Sequence, residues 1–335
     1  TISFTVTNGD ESLNRMVTIT QAAAEVPVPA GNEIWYTSTD GNIITPYKAD
    51  AFGAAIVSNI YEDGKGVITF DGDVTAVGKD AFYRGAGATL ETVTLPKGVT
   101  EIGDYAFSNC SALKNISMRN GITKIGKSAF YSCQELTNII LPNSLIEIGE
   151  NAFKSSGLTS ITIPESVTIV GDTAFLSCEN LSAFYGKGAT DDNRCLVIDG
   201  VIKAFAPANY ASDIYTIPYG ATTVGYNAFS NLTILTEIII PESVTTIDRN
   251  AFASSNGLLT VTLPKSITTI GMSAFQRCQN LATVYCKSTT PSTLSSNVFF
   301  SNADGRKIYV PTESVEAYKA AWSEYADAIE GYDFE

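Results

Sequence analysis

The side chains of this 335-residue chain that could take part in chemistry are carboxylates, hydroxyls and thiols, because the sequence contains no histidine. Without an imidazole base the usual Ser–His and Cys–His pairs are excluded, and so are zinc sites with a histidine ligand. A pair of carboxylates could still act as acid and base on a glycan. The acidic residues that recur along the chain occupy polar positions of a periodic pattern, where charge favours solubility: Glu101, Glu147, Glu165, Asp172, Glu242 and Asp248. We therefore expect no catalytic residues and no enzymatic activity.

Two further motifs could bind a ligand, namely a short acidic run and two Gly-Lys-Gly triplets. Asp191-Asp-Asn193 lacks the alternating Asp-x-Asp-x-Asp-Gly spacing of a calcium loop, so a surface turn is expected there. Gly64-Lys-Gly66 and Gly186-Lys-Gly188 are not followed by the helix-forming residues that a phosphate-binding loop requires. We expect no metal ion and no cofactor.

Four of the six cysteines stand three residues after a phenylalanine that recurs along the chain: Cys110, Cys133, Cys178 and Cys278. Recurrence at one position of a repeat predicts small buried side chains, a role that free cysteine often fills. A metal or redox cluster is the alternative, but no Cys-x-x-Cys pair occurs. The sequence leaves a disulfide between Cys110 and Cys133 open.

Charge and hydropathy restrict the class of partner. The formal charge is −14, from 35 acidic and 21 basic residues, so the surface repels phosphate backbones and anionic membranes. No apolar run approaches the ~18 residues of a membrane-spanning helix. The chain begins with strand-like Thr1-Ile-Ser-Phe4 rather than with Met, and we expect an exported protein whose signal has been removed. We predict no nucleic-acid binding and no membrane-spanning segment.

An Ala-Phe pair recurs through most of the chain and sets its period. The phenylalanines of the pair are 23, 23 and 22 residues apart, then 54, then 23 and 23: Phe107, Phe130, Phe153, Phe175, Phe229, Phe252 and Phe275. A fixed period in the twenties is typical of a solenoid, in which each coil buries its apolar face against the next. The length of the chain therefore does not require several globular domains.

Each repeat contains two short apolar segments, a glycine and the Ala-Phe pair, as in Leu136-Thr-Asn-Ile-Ile-Leu-Pro142, Ile148-Gly149 and Ala152-Phe153. The first segment alternates apolar and polar residues, which predicts a short strand that ends at the proline. The glycine predicts either a positive φ or close backbone approach. The residues around Ala-Phe predict a short helical turn whose phenylalanine ring enters the core. The predicted fold class is a β-rich solenoid.

These motifs resemble the BspA-like leucine-rich repeat family of bacterial surface proteins, known from gut and oral Bacteroidetes. Leu158-Thr-Ser-Ile-Thr-Ile-Pro164 and the recurring Ile-Gly-x-x-Ala-Phe carry the resemblance, which covers about residues 80–310. It implies a right-handed leucine-rich repeat coil with ~23 residues per turn. It also implies a cell-surface or secreted location and attachment to proteins of the host matrix.

The pattern divides the chain into five parts. The first residues alternate as two strands turned at Asn8-Gly-Asp10, and Val17-Thr-Ile-Thr-Gln-Ala-Ala23 resembles the last strand of a BACON-like β-sandwich. The five parts are 1–24, a hairpin or a remnant of such a sandwich; 25–31, a linker; 32–82, an N-terminal cap with a hairpin turned at Asp40-Gly41; 83–300, the repeats; and 301–335, a C-terminal cap with a helix from Ser314 to Trp322.

An insertion at 183–220 interrupts the repeats, because 54 residues separate Phe175 from Phe229 where two periods would take about 46. Its sequence predicts a β-hairpin turned at Asp199-Gly200. Insertions in solenoids often serve binding. The alternative is a second hairpin-type repeat with a structural purpose only.

The outward positions of the predicted strands form rows of threonine, serine and asparagine, which are also ordinary solvent-facing strand residues. Isoleucine and tyrosine depart from these rows, and such side chains suit contact with a protein or a glycan. The candidate ligand-contact residues are Asn138, Ile140, Tyr185, Glu237, Ile239 and Tyr285. We expect an adhesion module that binds a protein, such as a host extracellular-matrix protein. The alternatives are a structural spacer and a glycan-binding accessory protein.

Overall fold

The computed structural model describes residues 2–8, 11–17 and 27–334. At the N-terminus β1 (Ile2–Asn8) pairs antiparallel with β2 (Glu11–Val17). The predicted pair of strands is therefore present, while the turn residues 9–10 and the segment 18–26 lie outside the described residues. That this part is the remnant of a β-sandwich stays a prediction.

The N-terminal cap is a small antiparallel sheet that continues into the solenoid. Its strands are β3 (Glu33–Ser38), β4 (Ile56–Glu62) and β5 (Lys65–Phe70). β3 pairs with β5 on one side and with the first repeat strand, β7 (Leu90–Thr94), on the other. The hairpin predicted at Asp40-Gly41 is wrong, because Ile43 and Ile44 lie in an irregular segment. With both edges of β3 already paired, no edge is left for a strand at 43–44.

The first ladder of the solenoid consists of the alternating segments, which form the predicted short strands, paired in parallel within 90–117, 160–186 and 214–332. The strand predicted to end at Pro142 is wrong, because residues 136–142 form no strand. After β7 its strands are β9 (Asn115–Ser117), β12 (Ser160–Ile163), β14 (Ala183–Gly186), β17 (Ile214–Thr216), β19 (Glu237–Ile239), β21 (Thr260–Leu263), β23 (Thr283–Cys286), β25 (Lys307–Pro311) and β26 (Ile329–Tyr332). Neighbouring strands pair at a spacing of one repeat, as where Val261 lies opposite Val284. Alternate residues are buried, which confirms the period-two interpretation.

The second ladder consists of two-residue strands, which a glycine follows in every coil except those with Asp248 and Ser295 at that position. They are β6 (Ala76–Val77), β8 (Glu101–Ile102), β10 (Lys124–Ile125), β11 (Glu147–Ile148), β13 (Ile169–Val170), β18 (Thr223–Val224), β20 (Thr246–Ile247), β22 (Thr269–Ile270) and β24 (Thr293–Leu294). A Cβ added to Gly126 would stand 2.6 Å from the amide nitrogen of Asp104 and 2.7 Å from the carbonyl carbon of Gly103. The φ of Gly126 is not in the left-handed region. Close backbone approach is therefore the reason for this glycine.

The Ala-Phe segments form a third ladder, here called the turn ladder, from β-turns. The N–H of Phe107 donates to the carbonyl oxygen of Ala129 in the next coil at 2.8 Å, and Tyr105 and Asn109 donate to that coil in the same way. The residues between them donate within their own coil. Tyr105 and Asn109 have φ of 57° and 62°. Because positive φ ends each i→i+3 turn after one bond, the predicted short helical turn is a pair of β-turns.

The phenylalanine rings stack through the core, one above the other. From Phe82 to Phe175 the ring centroids of consecutive coils are 5.3 to 5.6 Å apart, and from Phe229 to Phe299 they are 4.9 to 5.5 Å apart. These rings supply much of the apolar surface that the stacked coils bury together. The prediction that the repeat phenylalanine fills the core is confirmed.

The six cysteines are free and buried, so Cys110 and Cys133 do not form the disulfide that the sequence left open. At the repeat position the thiol of Cys133 donates to the carbonyl oxygen of Phe107 in the preceding coil, at a sulfur–oxygen distance of 3.1 Å. The other three repeat cysteines bond the preceding coil in the same way. Burial raises the pKa of the Cys178 thiol to about 11.

The insertion contains the predicted hairpin, formed by β15 (Cys195–Ile198) and β16 (Val201–Phe205), with Ile198 opposite Val201 across the turn. β16 also pairs parallel with β18, so the hairpin joins the second ladder. The guanidinium of Arg194 donates to the carbonyl oxygens of Ala206 and Ala208 at 3.1 and 2.7 Å. These bonds fix the chain that leaves the hairpin.

The core divides into two clusters at this hairpin. On one side Phe175 meets Phe184 edge to face at 5.3 Å, and on the other Phe205 stacks on Phe229 at 5.2 Å. The regular stack of rings is therefore interrupted between Phe175 and Phe205.

The C-terminal cap covers the last coil with a helix and two 3-10 turns. They are η1 (Thr312–Ser314), α1 (Val315–Ala321) and η2 (Ser323–Ala328). Tyr318 and Trp322 are buried, and their polar atoms donate to the carbonyl oxygens of Ser288 and Ser292, each at 2.9 Å. The predicted covering role of both side chains is confirmed. In the described ranges no helix is long and apolar enough to cross a membrane.

Candidate functional site

The six candidate contact residues lie along the first ladder, at or near its outer face. Ile140 is 80% exposed, Tyr185 46% and Ile239 44%, whereas Glu237 and Tyr285 are partly buried. Asn138 is exposed. The hairpin of β15 and β16 separates them into two groups, one before it and one after it.

The first group surrounds an interruption in the first ladder. Residues 138–141 form no strand between β9 and β12, and within the described residues no hydrogen bond joins their main chain to either neighbour. A groove of about 350 Å³ lies beside them, lined by Asn138, Ile139, Ile140, Leu141, Asn143, Ser160, Ile161, Thr162 and Pro164. This groove, here called the Ile140 groove, combines main-chain groups without protein partners and a nearly fully exposed isoleucine.

The coil before the interruption also departs from the repeat. Arg119 stands where the neighbouring coils have Pro96, Pro142 and Pro164. Its Nε and Nη2 atoms are buried and have no hydrogen-bond partner in the described part of the chain. Buried donors without acceptors are costly, so this coil carries a local conflict next to the Ile140 groove.

In the first group, the position of Ile140 corresponds to Thr94, Ser117 and Thr162 in other coils. Tyr185 lies directly opposite Thr162 in the pairing of β12 with β14. Strand register thus places Thr162 and Tyr185 in one row, and the repeat aligns Ile140 with that row one coil earlier.

In the second group, strand register places Ile239, Thr262, Tyr285 and Tyr309 in one row. The rings of Tyr285 and Tyr309 stack at 5.3 Å. Tyr332 contacts both rings at 5.4 and 5.6 Å, and Phe334 adds a fourth ring. We call these four side chains the aromatic cluster.

Sequence reasoning missed three members of this aromatic cluster. The alternation in Lys307-Ile-Tyr-Val-Pro311 could have placed Tyr309 outward, because β25 continues the first ladder. Tyr332 belongs to β26, a strand within the segment predicted only as a helical cap.

The repeat period is also recognised by comparison with known families. The sequence profile described as BspA type leucine rich repeat region matches residues 64–182 and 202–325, in six copies. The chain belongs to this family. No curated protein matches the sequence. The unmatched residues 183–201 fall within the insertion, which is where this BspA-type chain departs most from its own period.

Solved structures of bacterial leucine-rich repeat proteins share the fold of this BspA-type chain. A leucine rich cell surface protein from Faecalibacterium prausnitzii is 19% identical, with a TM-score of 0.54 over 94% of this chain and 97% of that chain. A leucine-rich repeat protein from Eubacterium ventriosum is 21% identical, with a TM-score of 0.53 over 86% and 84%. The pneumococcal vaccine antigen PcpA is 15% identical, with a TM-score of 0.51 over 83% and 88%. At these identities the likeness concerns the fold.

Several carboxylates of this BspA-type chain form ion pairs with lysines of other coils, among them Glu147 and Asp172 of the six recurrent acidic residues. Glu150 pairs with Lys127 at 2.9 Å, and Glu147 pairs with Lys124 at 3.5 Å. The pKa of Glu91 is lowered by a hydrogen bond from Lys114. Exposed pairs of this kind contribute little to stability. In these pairs the carboxylate is bonded to a lysine of a neighbouring coil.

The acidic run of the insertion forms a turn. The carboxylate of Asp192 accepts from the hydroxyl of Thr190 at 2.5 Å and from the N–H of Arg194 at 3.0 Å. These local bonds occupy the carboxylate in the way of an Asx turn. Across the residues described, no group of three or more His, Cys, Asp or Glu side chains could hold a metal ion.

Proposed function

We propose that this chain is a non-enzymatic binding module, exposed on the cell surface or secreted, that attaches to a protein of a host or neighbouring cell. The first ladder supplies the contact surface. Its candidate residues are Asn138, Ile140, Tyr185, Glu237, Ile239 and Tyr285.

The observation that carries this proposal is the exposure of Ile140 beside the Ile140 groove. An isoleucine that is 80% exposed buries apolar surface only when a partner covers it. The repeat offers threonine or serine at the same position in Thr94, Ser117 and Thr162, so the solenoid does not need an apolar residue there. A protein partner is favoured because its side chains can fill the groove while its polar atoms pair with the main chain of 138–141.

Charge and family membership support the class of partner and the location. The charge of −14 favours a neutral or basic protein over nucleic acid or an anionic membrane. The relative from Faecalibacterium prausnitzii is described as a cell surface protein. We extend that location to this chain, with an extracellular-matrix protein as the expected ligand class.

A second candidate is glycan binding at the aromatic cluster. Tyr285 and Tyr309 stack with an interplanar angle of 21° on neighbouring strands, and Tyr332 is 43% exposed. Rings with an apolar face and a polar hydroxyl suit a sugar as well as a protein. This candidate would make the chain an accessory protein for glycan capture.

An array experiment separates these functions. The purified chain is applied to immobilised fibronectin, laminin and collagens and to a glycan array, together with a Tyr185→Ala/Tyr285→Ala variant. Tyr47→Ala is the matched control, because Tyr47 is 58% exposed in the N-terminal cap. Saturable protein binding that the double variant loses and the control keeps supports the proposal. Binding to glycans alone favours the second candidate, and no binding on either array favours a structural spacer.

A further inference from the structure

The turn ladder is broken at one interior place. The coil between Phe175 and Phe229 contains the hairpin of β15 and β16, and its Ala204-Phe205 pair does not form the usual turn. The turns at 173–177 and 226–230 therefore face each other across the space of one coil. Twice the usual strand spacing is about 10 Å. We call this space the turn gap.

One wall of the turn gap carries donors and the other carries acceptors. In the regular coils the N–H groups equivalent to those of Thr173, Phe175 and Ser177 donate to the next turn, as Phe107 does to Ala129. The carbonyl oxygens equivalent to those of Tyr226, Ala228 and Ser230 accept from the previous turn. Among the residues that the structure describes, none of these six main-chain groups has a hydrogen-bond partner.

The two ends of the turn ladder are treated differently. At the first turn, the carbonyl oxygen of Ala81 accepts from the N–H of Tyr47 at 2.8 Å. At the last turn, the N–H of Phe299 donates to the hydroxyl of Tyr325 at 3.2 Å. Each cap thus bonds the central main-chain group of the end turn, whereas the central groups of the turn gap, on Phe175 and Ala228, have no partner among the described residues. The turn gap keeps its main-chain groups unpaired although unpaired groups reduce stability.

A pocket of about 80 Å³ lies in the turn gap, lined by both turns and by Lys203, Phe205 and Pro207. The ring of Phe205 already stacks on Phe229 at 5.2 Å, so the core has its aromatic ring in this coil. However, this coil has no turn whose N–H and carbonyl groups could bond the turns at 173–177 and 226–230. The small volume selects a segment with small side chains.

We propose that the turn gap binds a short peptide segment of a partner protein, which takes the place of the turn that this coil does not form. The carbonyl groups of the peptide accept from Thr173, Phe175 and Ser177. Its N–H groups donate to the oxygens of Tyr226, Ala228 and Ser230. Main-chain pairing of this kind is the principle of strand addition, with affinity from the backbone and selection from the pocket.

A peptide fits the turn gap better than a glycan. Only a peptide presents carbonyl acceptors at every second residue towards the N–H groups of 173–177 and N–H donors at every second residue towards the carbonyl oxygens of 226–230. The net charge of −14 favours a neutral or basic peptide. This site lies on the turn ladder rather than on the first ladder. Its binding therefore goes beyond the proposed function and does not depend on it.

The probe is a fluorescein-labelled peptide, blocked at both ends, that copies residues 127–132 with alanine in place of Phe130. We expect saturable binding by fluorescence anisotropy with a dissociation constant below 1 mM. Lys203→Trp fills the pocket and should weaken binding at least tenfold. Lys203→Ala is the control, since it also breaks the Lys203–Asp172 ion pair but leaves the pocket open, and should change affinity less than threefold. Melting curves verify that both variants fold.

Hydrogen exchange measured by mass spectrometry locates the bound peptide. In the free protein, segment 172–178 should exchange faster than segment 104–110, where the N–H groups of Tyr105, Phe107 and Asn109 are bonded to the next coil. The peptide should slow exchange in 172–178 at least tenfold, and N-methylation of its backbone should abolish the effect. Ile140→Thr should leave peptide binding unchanged, which separates this site from the Ile140 groove. No saturable binding, equal binding to Lys203→Trp, or protection only at 136–143 would overturn the proposal.

Discussion

At the scale of single residues, the repeat recurs because some of its positions accept only a few residue types. Gly126 has the second ladder of the previous coil against its Cα, so a side chain has no room there. Tyr105 and Asn109 adopt positive φ on either side of Phe107. The sequence left positive φ and close backbone approach open as reasons for the glycine, and the structure selects close approach. The positive φ values beside the phenylalanine were missed, although Asn or Ser occupies most of these positions, as at Ser128, Asn151 and Asn227.

Replacing Gly126 by alanine tests the close approach. We expect Gly126→Ala to lower the free energy of unfolding by about 1–3 kcal/mol, as overpacked sites do. The measurement is urea denaturation. Gly72→Ala is the control, because the nearest atom to its added Cβ, that of Ala54, is 3.8 Å away. Equal stability of the two variants would contradict the packing argument.

Buried thiols make the stability of the fold depend on alkaline pH. The pKa of Cys178 is about 11 in the folded chain and about 8.5 when unfolded, so its contribution is complete below pH 8.5 and is lost as pH rises towards 11. Between pH 8 and pH 9.5 the wild type should lose about 1 kcal/mol more stability than Cys178→Ser. Serine is tolerated at this repeat position, since Ser255 occupies it in another coil. The measurement is the free energy of unfolding in urea as a function of pH. An equal loss in the wild type and in Cys178→Ser would contradict the effect.

At the scale of elements, the core, most strands and the insertion hairpin were predictable, and the interruption of the first ladder at 138–141 was not. The strand at 160–163 could be predicted from the alternation within its own repeat. The core position of the phenylalanines could be predicted from their regular spacing between repeats. The missing strand at 138–141 depends on how that coil meets β9 and β12, which the residues of one coil do not determine. The hairpin at Asp40-Gly41 in the N-terminal cap was mispredicted for the same reason, because distant strands pair with both edges of β3.

The insertion hairpin should depend on Arg194. Arg194→Met removes charged hydrogen bonds to the carbonyl oxygens of Ala206 and Ala208, worth about 1.5–3 kcal/mol. Hydrogen exchange in residues 195–210 should become at least ~10-fold faster. Arg249→Met is the control, since its guanidinium contacts only the ring of Tyr226 at 4.3 Å among its aromatic neighbours. Unchanged exchange in 195–210 would show that the hairpin is held by other contacts.

At the scale of the whole molecule, the chain is a capped solenoid whose core consists of two clusters that meet at the insertion. Stability in such a fold is the sum of contacts between neighbouring coils, so the caps protect the ends. The fold class and the C-terminal cap were predictable because they repeat or follow simple patterns. The Ile140 groove and the aromatic cluster arise from the stacking of different coils and were found only in part, through Ile140 and Tyr285.

Loss of the C-terminal cap should open the solenoid from its end. Trp322→Ala removes a buried ring that contacts Phe299 and Tyr318, and should cost about 3–5 kcal/mol. Hydrogen exchange should increase first in residues 283–311. Glu316→Ala, an exposed position of the same helix, should leave exchange unchanged. Uniform acceleration along the whole chain would argue against opening from the end.

The central claim is that this chain binds its partner through residues that depart from the repeat, with Ile140 foremost. Its most direct test is the dissociation constant, by surface plasmon resonance, for the matrix protein that binds the chain on the array. Ile140→Thr restores the residue of Thr94 and Thr162 and should preserve the melting temperature. We predict at least tenfold weaker binding, about 1.4 kcal/mol, with no change in Ile60→Thr, an exposed isoleucine of the N-terminal cap. Unchanged affinity in Ile140→Thr would contradict the claim.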